Sequence, residues 1–226
     1  MNRIRAVLFD AGGTLIHMDG ERVCRAAGVD FEAAAFRRAE TDAVAAVRAL
    51  VLEKPESRDA ERIPLFFDTL LSGLGVADAA ARRAGMGAVS EEHRKLNLWS
   101  RRADRALEAL DALRGRGYRM AVISNADGRV RGLLEEAGLT GHLEFVVDSA
   151  EVGIEKPDPR IFRTATDRLG LEPSVCAYVG DIYEIDVVGA RGAGLEAVLI
   201  GDGPAPPGTR RVADFDGLLE LLPGFA

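Results

Sequence analysis

Between Tyr118 and Ile200, short apolar runs alternate with amphipathic stretches, and no other feature of the chain constrains its fold as much. The runs YRMAVISN, EFVVDS, CAYVGD and LEAVLI read as short strands. The intervening segments GRVRGLLEEAG, RIFRTATDRLG and DVVGARGAG place apolar residues at helical spacing and stop at glycine. Asp158 followed by Pro159 supplies an N-cap and a first-turn residue for the helix in which Phe162, Ala165 and Leu169 face one way. Strand and helix succeeding each other every ~10–15 residues is the pattern of βαβ units on a parallel sheet, so an α/β fold is expected. The run Ile4 to Phe9, which ends at Asp10 and a glycine-rich loop, reads as a first strand of the same sheet.

From about Leu15 to Glu92 the chain changes character. The stretch FEAAAFRRAETDAVAAVRALVLE carries apolar residues at helical spacing, with Phe36, Val44, Val47 and Val51 on one broad face. The pattern breaks at Pro55, resumes through IPLFFDTLLSGLG and meets glycines at 85 and 87. A mostly helical insert is expected here. After Trp99, a helix is expected with Ala103, Leu107, Leu110 and Leu113 on one face. The segment GDGPAPPGTR is expected to be a surface loop, with a last short helix around LLELL.

Composition narrows the function. The 226 residues suffice for one ordinary domain, or for a core with a smaller second unit. The formal net charge of −7 argues against sequence-independent nucleic-acid binding and leaves room for a local pocket for a small anion. Cys24 and Cys176 are the only cysteines, too few for a disulfide framework or a cysteine-based metal cluster. With no long apolar run and no signal-like opening, a cytoplasmic protein without membrane contact is expected. Oligomeric state stays open.

Chemistry-bearing residues gather at the ends of expected strands: Asp10 with GGT behind it, Ser124 with Asn125, Lys156 before Pro157, and Asp181 with Asp186. In open α/β sheets, ligands bind beyond the carboxyl ends of the strands, so these distant residues can converge. Asp10, Asp181 and Asp186 offer hard oxygen atoms suited to magnesium rather than zinc. Lys156 and the Ser124 hydroxyl can hold phosphate oxygens. Only Lys54, Lys95 and Lys156 are lysines, so an amine at a strand end has few substitutes.

The segments FDAGGTL (Phe9 to Leu15), VISNADG (Val122 to Gly128), EKPDPRIF (Glu155 to Phe162) and VGDIYEIDVVGARGAG (Val179 to Gly194) resemble the four ordered motifs of the haloacid dehalogenase-like hydrolase superfamily, in its phosphatase branch. The resemblance implies a doubly wound parallel sheet with helices on both sides, formed by residues 1–15 and 96–226, and an α-helical cap of residues 16–95 inserted after the first strand. It implies Asp10 as the nucleophile that forms an aspartyl intermediate. Magnesium would be held by Asp10, the Gly12 backbone carbonyl and Asp181, with Asp186 supporting. Thr14, Ser124 and Asn125 would bind the phosphoryl group or substrate, and Lys156 would neutralise charge. The substrate implied is a small phosphorylated, or otherwise anionic, molecule. A carboxylate attacks an anionic phosphate only when their repulsion is relieved, which magnesium and Lys156 would do.

One position departs from the pattern. The phosphatase motif has an acid two residues after the nucleophile, where this chain has Gly12. A glycine cannot protonate a leaving alkoxide or activate water, help worth roughly 10²- to 10⁴-fold. Alternatives therefore stand beside a magnesium-dependent phosphatase: a metal-independent 2-haloacid dehalogenase, whose halide departs without a proton; a phosphonate-cleaving enzyme using Lys54 as a Schiff base; or a binding protein on a hydrolase scaffold. The run GARGAG ends a helix instead of opening one after a strand, so its glycines are expected to serve close packing and not a dinucleotide.

Overall fold

The computed structural model describes residues 4–202 and 205–222. Its elements run β1 (Ala6–Phe9), β2 (Ile16–Met18), α1 (Gly20–Ala27), α2 (Ala33–Glu53), α3 (Asp59–Gly73), α4 (Ala79–Lys95), β3 (Trp99–Arg102), α5 (Ala106–Gly115), β4 (Arg119–Ser124), α6 (Val130–Glu136), β5 (Val146–Asp148), α7 (Ser149–Val152), α8 (Pro159–Leu169), β6 (Cys176–Gly180), α9 (Val188–Ala193), β7 (Glu196–Ile200), β8 (Arg211–Val212) and α10 (Phe215–Leu221). The chain divides into two compact units: the described residues of Met1–His17 with Arg101–Ala226, and Met18–Ser100.

The larger unit is built on a six-stranded sheet in the order β5-β4-β1-β6-β7-β8, and every pairing in it is parallel. β1, β4 and β6 are buried on both faces apart from the partly exposed Arg119, which explains their continuous apolar runs. The chain lays β4 and β5 on one side of β1, then returns to lay β6, β7 and β8 on the other. The order therefore reverses at β1, and the crevice beyond its carboxyl end is the switch point where such sheets bind ligands. Asp10 stands there, its backbone N–H still donating to Val179 O at 2.9 Å.

Several local expectations are met with shifts of detail. Asp158 caps α8 by accepting from Arg160 N, with Pro159 in the first turn and Phe162, Ala165 and Leu169 buried. The helix after Trp99 starts at Ala106, and Arg105 just before it adopts φ of 64°. Its buried face is therefore Ala106, Ala109, Leu110 and Leu113, leaving Leu107 half-buried and Ala103 outside the helix. The glycines of GARGAG allow close packing: a Cβ on Gly189 would lie 2.7 Å from the Phe162 ring and 2.9 Å from Pro157 O. β2 and β3 form a separate two-stranded ribbon that the sequence did not announce, because neither IHM nor WSRR has an apolar alternation long enough to stand out. The expected loop 201–210 includes two residues outside the described set, and β8 follows it.

The smaller unit is helical apart from its ribbon strands. The stripe that α2 buries is Phe36, Ala39, Ala43, Val47 and Val51, so Ala43 takes the core position expected of Val44, which is half-buried. Spacing of four residues between small side chains lets α3 lie close, and a Cβ on Gly73 would fall 2.8 Å from that of Ala39. Trp99 packs edge-on against Phe67 and His93. Arg22 ties the unit's ends by donating to Glu92 and to the Asn97 and Leu96 carbonyls. No helix among the described residues is long and apolar enough to cross a membrane.

Gly189→Ala is expected to destabilise the protein by about 1–3 kcal/mol, because one of the atoms in the way is a backbone carbonyl that cannot rotate aside. A lowered melting temperature in scanning calorimetry checks this; an unchanged one would mean that α9 moves off α8 freely.

Candidate active site

Lys156 lies at the centre of the crevice. Its side chain is 3% exposed, and three acceptors surround the ammonium: Asp10 Oδ1 at 2.6 Å, Asp186 Oδ1 at 2.8 Å and Tyr178 Oη at 2.9 Å. A buried ammonium is tolerable only when paired in this way. Burial alone would pull its pKa down, but the charges of Asp10 and Asp186 prevail and hold it well above the usual lysine value. Lys156 is therefore a fixed positive charge.

The opposite charges come from three chain segments. Asp10 ends β1, Asp181 follows β6, and Asp186 lies in the wide turn Tyr183–Val187, closed by Val188 N donating five residues back to Tyr183 O. Such widened turns re-aim side chains. Here the turn folds Asp186 back so that its Oδ2 accepts from Ile182 N at 2.9 Å while Oδ1 accepts from Lys156. Oxygen atoms of Asp10, Asp181 and Asp186 lie within 4.8 Å of one another.

Glycines make room for these carboxylates. Gly13 has φ of 81°, and a Cβ there would stand 2.3 Å from Asp181 Oδ2. A Cβ on Gly180 would stand 2.4 Å from Asp186 Cγ. Gly13 is thus required both by its backbone conformation and by its neighbour. Sequence reasoning singled out neither position, since glycine after a strand signals a turn before it signals space.

Three carboxylates against one ammonium leave a formal charge of −2. Burial, followed by the Asp186 and Asp10 charges, raises the Asp181 pKa well above the usual carboxylate range. Burial likewise pushes Asp10 up to about 6 against the opposing pull of Lys156. Asp181 Oδ1 is buried and has no hydrogen-bond partner. A hard divalent cation would satisfy this orphaned oxygen and balance the charge, so the donor set fits magnesium. In the loop after Asp10, the backbone bonds from Thr14, Leu15 and Ile16 converge on Ala11 O, leaving Gly12 O outside them.

The remaining candidates are distributed as follows. Thr14, four residues beyond Asp10, is buried with its hydroxyl unpartnered. Ser124 is buried at the end of β4, beside β1. Asn125 is committed to the lysine's backbone: Lys156 N donates to its Oδ1 at 2.7 Å, and its Nδ2 donates to Lys156 O at 3.1 Å. The geometry thus gives Asn125 an anchoring contact that sequence reasoning, which expected a substrate ligand, did not foresee. Lys54 ends α2 in an ion pair with Glu61 at 2.5 Å, which favours its charged form over the neutral amine a Schiff base needs. Tyr178, hidden inside an ordinary strand pattern, was also missed.

A family model described as haloacid dehalogenase-like hydrolase matches residues 4–194. The chain belongs to this hydrolase family. Mouse haloacid dehalogenase-like hydrolase domain-containing protein 3 is 45% identical over 91 residues, 40% of this chain and 36% of that protein. A phosphoserine phosphatase of Thermus thermophilus is 45% identical over 94 residues, 41% of this chain and 38% of that one. The match thus spans little more than a third of these relatives' length. Among solved structures, a dehalogenase with an intermediate complex superposes with a TM-score of 0.69 at 24% identity, covering 98% of each chain, which shows the shared fold.

The raised pKa of Asp181 predicts a stability change with a definite sign. The folded protein holds this proton more tightly than the unfolded chain, so ionisation costs stability above the ordinary carboxylate pKa and costs nothing below it. In chelator, Asp181→Asn should therefore melt higher than wild type at pH 7, with the gain shrinking as pH falls toward about 4. Calorimetric scans of both proteins across that range test it; an equal or lower melting temperature at pH 7 would contradict a raised Asp181 pKa in the folded protein.

Proposed function

We propose that the protein is a magnesium-dependent phosphatase acting on a small phosphorylated molecule through an aspartyl-phosphate on Asp10. The observation that carries this reading is the contact of Asp10 with Lys156 amid further carboxylates. The lysine binds one oxygen of the nucleophile, and the donor set around them suits a hard cation. Phosphatase names among the relatives support the reaction class.

Asp10 attacks phosphorus, a carboxylate O–P bond forms, and the bond from phosphorus to the leaving oxygen breaks. Water then attacks the acyl phosphate and inorganic phosphate departs, restoring the carboxylate. Lys156 offsets the negative charge on Asp10 and on the phosphoryl oxygens. Thr14 and Ser124 present hydroxyl donors to those oxygens. Asp10, Asp181 and the Gly12 carbonyl would hold magnesium, with Asp186 supporting. The ion when bound supplies charge neutralisation that lets two anions meet. Asn125 holds the backbone of Lys156 in register with the strand ends. In the same reading the helical unit Met18–Ser100 acts as the cap expected from residues 16–95.

Gly12 then selects the substrate class. With no carboxyl two residues beyond the nucleophile, the leaving oxygen receives no proton from this loop, so activated phosphates such as aryl esters and acyl phosphates are favoured over alkyl esters. The dehalogenase alternative shares this tolerance of glycine. It does not account for the orphaned Asp181 oxygen or for the excess of carboxylates, which a metal-independent enzyme would leave unbalanced.

Two measurements test the proposal. Magnesium should raise the melting temperature of wild type and leave Asp181→Asn nearly unmoved, while Asp10→Asn should abolish 4-nitrophenyl phosphate hydrolysis. Retained turnover in Asp10→Asn would remove the nucleophile assignment.

Gly12→Asp should accelerate alkyl phosphate hydrolysis, by up to roughly 10²-fold. The backbone permits the substitution, since Gly12 is not among the glycines with positive φ. Wild-type kcat/KM should also fall steeply as the leaving-group pKa rises. A flat dependence, with no gain in the folded mutant, would mean that proton delivery is not what limits this enzyme.

A further inference from the structure

Tyr178 has no part in the reaction as described, yet its hydroxyl touches the central lysine. The residue is fully buried in β6, and its ring lies edge-on to Phe162 with centroids 4.9 Å apart. A buried phenol must place its one hydrogen and satisfy its oxygen. The Ile123 carbonyl, 3.0 Å away, can only accept, so the tyrosine donates there. The ammonium, 2.9 Å away, can only donate, so the tyrosine accepts from it. Asp186 Oδ1 is a poorer partner for the same hydrogen, at 3.4 Å, and already accepts from Lys156. The chain of bonds thus has one polarity, from Lys156 through Tyr178 to Ile123.

We propose that Tyr178 is a positioning residue that holds the Lys156 ammonium on Asp10. The bond sequence spans the sheet: Tyr178 belongs to β6, Ile123 to β4, and Asp10 ends β1 between them. The location of the hydroxyl is therefore set by strand register and by Phe162, not by a loop. A neutral oxygen is the suitable third acceptor. It satisfies an N–H without adding charge to a cluster that already carries an excess of carboxylates, and it does not compete with a phosphoryl group as an anion would. Without it the ammonium keeps two carboxylates and gains freedom to slide from Asp10 toward Asp186. This role rests on the reading of Lys156 as the residue that neutralises charge in phosphoryl transfer.

The test is a double-mutant cycle combined with a spectroscopic readout. Hydrolysis of 4-nitrophenyl phosphate with magnesium is measured for wild type, Tyr178→Phe, Lys156→Ala and the double variant. In the metal-free proteins, the ¹⁵Nζ ammonium resonance of Lys156 is recorded, a signal that survives exchange only where the group is buried and bonded. Tyr178→Phe keeps the ring and should lower kcat by roughly 10- to 100-fold, the effect of a hydrogen bond to a charged group, with little change in KM. It should cause no further loss in the Lys156→Ala background, and it should broaden or abolish the ammonium signal. Equal losses in both backgrounds, no loss in either, or an unchanged ammonium signal would each overturn the proposal. If Lys156→Ala is as active as wild type, the phosphatase reading fails separately, and the ammonium signal alone decides whether Tyr178 holds the lysine. Should Tyr178→Phe not fold, Phe162→Leu, which loosens the ring and leaves the hydroxyl, enters the same cycle. A loss confined to the Lys156 background supports the proposal, and an equal loss in both overturns it.

Discussion

The pairing of one buried ammonium with the carboxylates around it governs the arrangement of the crevice. Lys156 bonds directly to Asp10 and Asp186, and Asp181 completes the acidic group. These residues come from the end of β1, the loop before α8 and the segment after β6, and their juxtaposition requires β1 to lie between β4 and β6. Like charges this close are sustained only by a compensating positive charge, and one lysine is not enough for three carboxylates. The site is therefore built under electrostatic tension, and burial first, with the neighbouring carboxylates second, raises the pKa values of Asp10 and Asp181. A structural core would have little use for such an arrangement, whereas chemistry on anions requires charge held ready in a fixed place.

The tension is contained by groups that carry no charge. Asn125 fixes the lysine's backbone with two hydrogen bonds, and Tyr178 meets its far end. The backbone N–H of Ile182 holds Asp186. Gly13 and Gly180 contribute by having no side chain, so that two carboxylates can lie directly on the main chain. Each of these holds a charged neighbour in place without changing the net charge, and precision of this kind is what a preorganised site needs.

Much of this was legible in the sequence, for physical reasons. Apolar runs buried on both faces of a parallel sheet announce themselves, and the first polar residue after each run marks the carboxyl edge. Asp10, Ser124 and Asp181 were found in that way, and the family resemblance assigned them roles. Lys156 stood out because lysine is scarce in this chain. Tyr178 did not stand out, since an aromatic within CAYVG looks like core and only the three-dimensional register brings its hydroxyl to an ammonium. The anchoring by Asn125 was hidden for a different reason: an Asn after Ser at a strand end is ordinary turn chemistry, and its partner is 31 residues away. Helical stripes were placed well where the apolar residues were large. The error at Val44 arose because alanines at positions 39 and 43 form the contact, and small residues leave little periodic signal.

The long insertion after β1 also bears on how the chain is made. Ala6 pairs with Arg119 on one side and with Cys176 on the other. During synthesis β1 therefore leaves the ribosome more than a hundred residues before its first sheet neighbour and waits longer still for the second. Meanwhile the helical unit Met18–Ser100, whose contacts are largely its own, is complete and can fold. An apolar strand held without partners for that interval is an aggregation hazard. The brevity of β1, four residues bounded by Arg5 and Asp10, limits that exposure. The strand that leads into Asp10, the proposed nucleophile, is thus the first strand of this sheet to be synthesised and among the last to be secured.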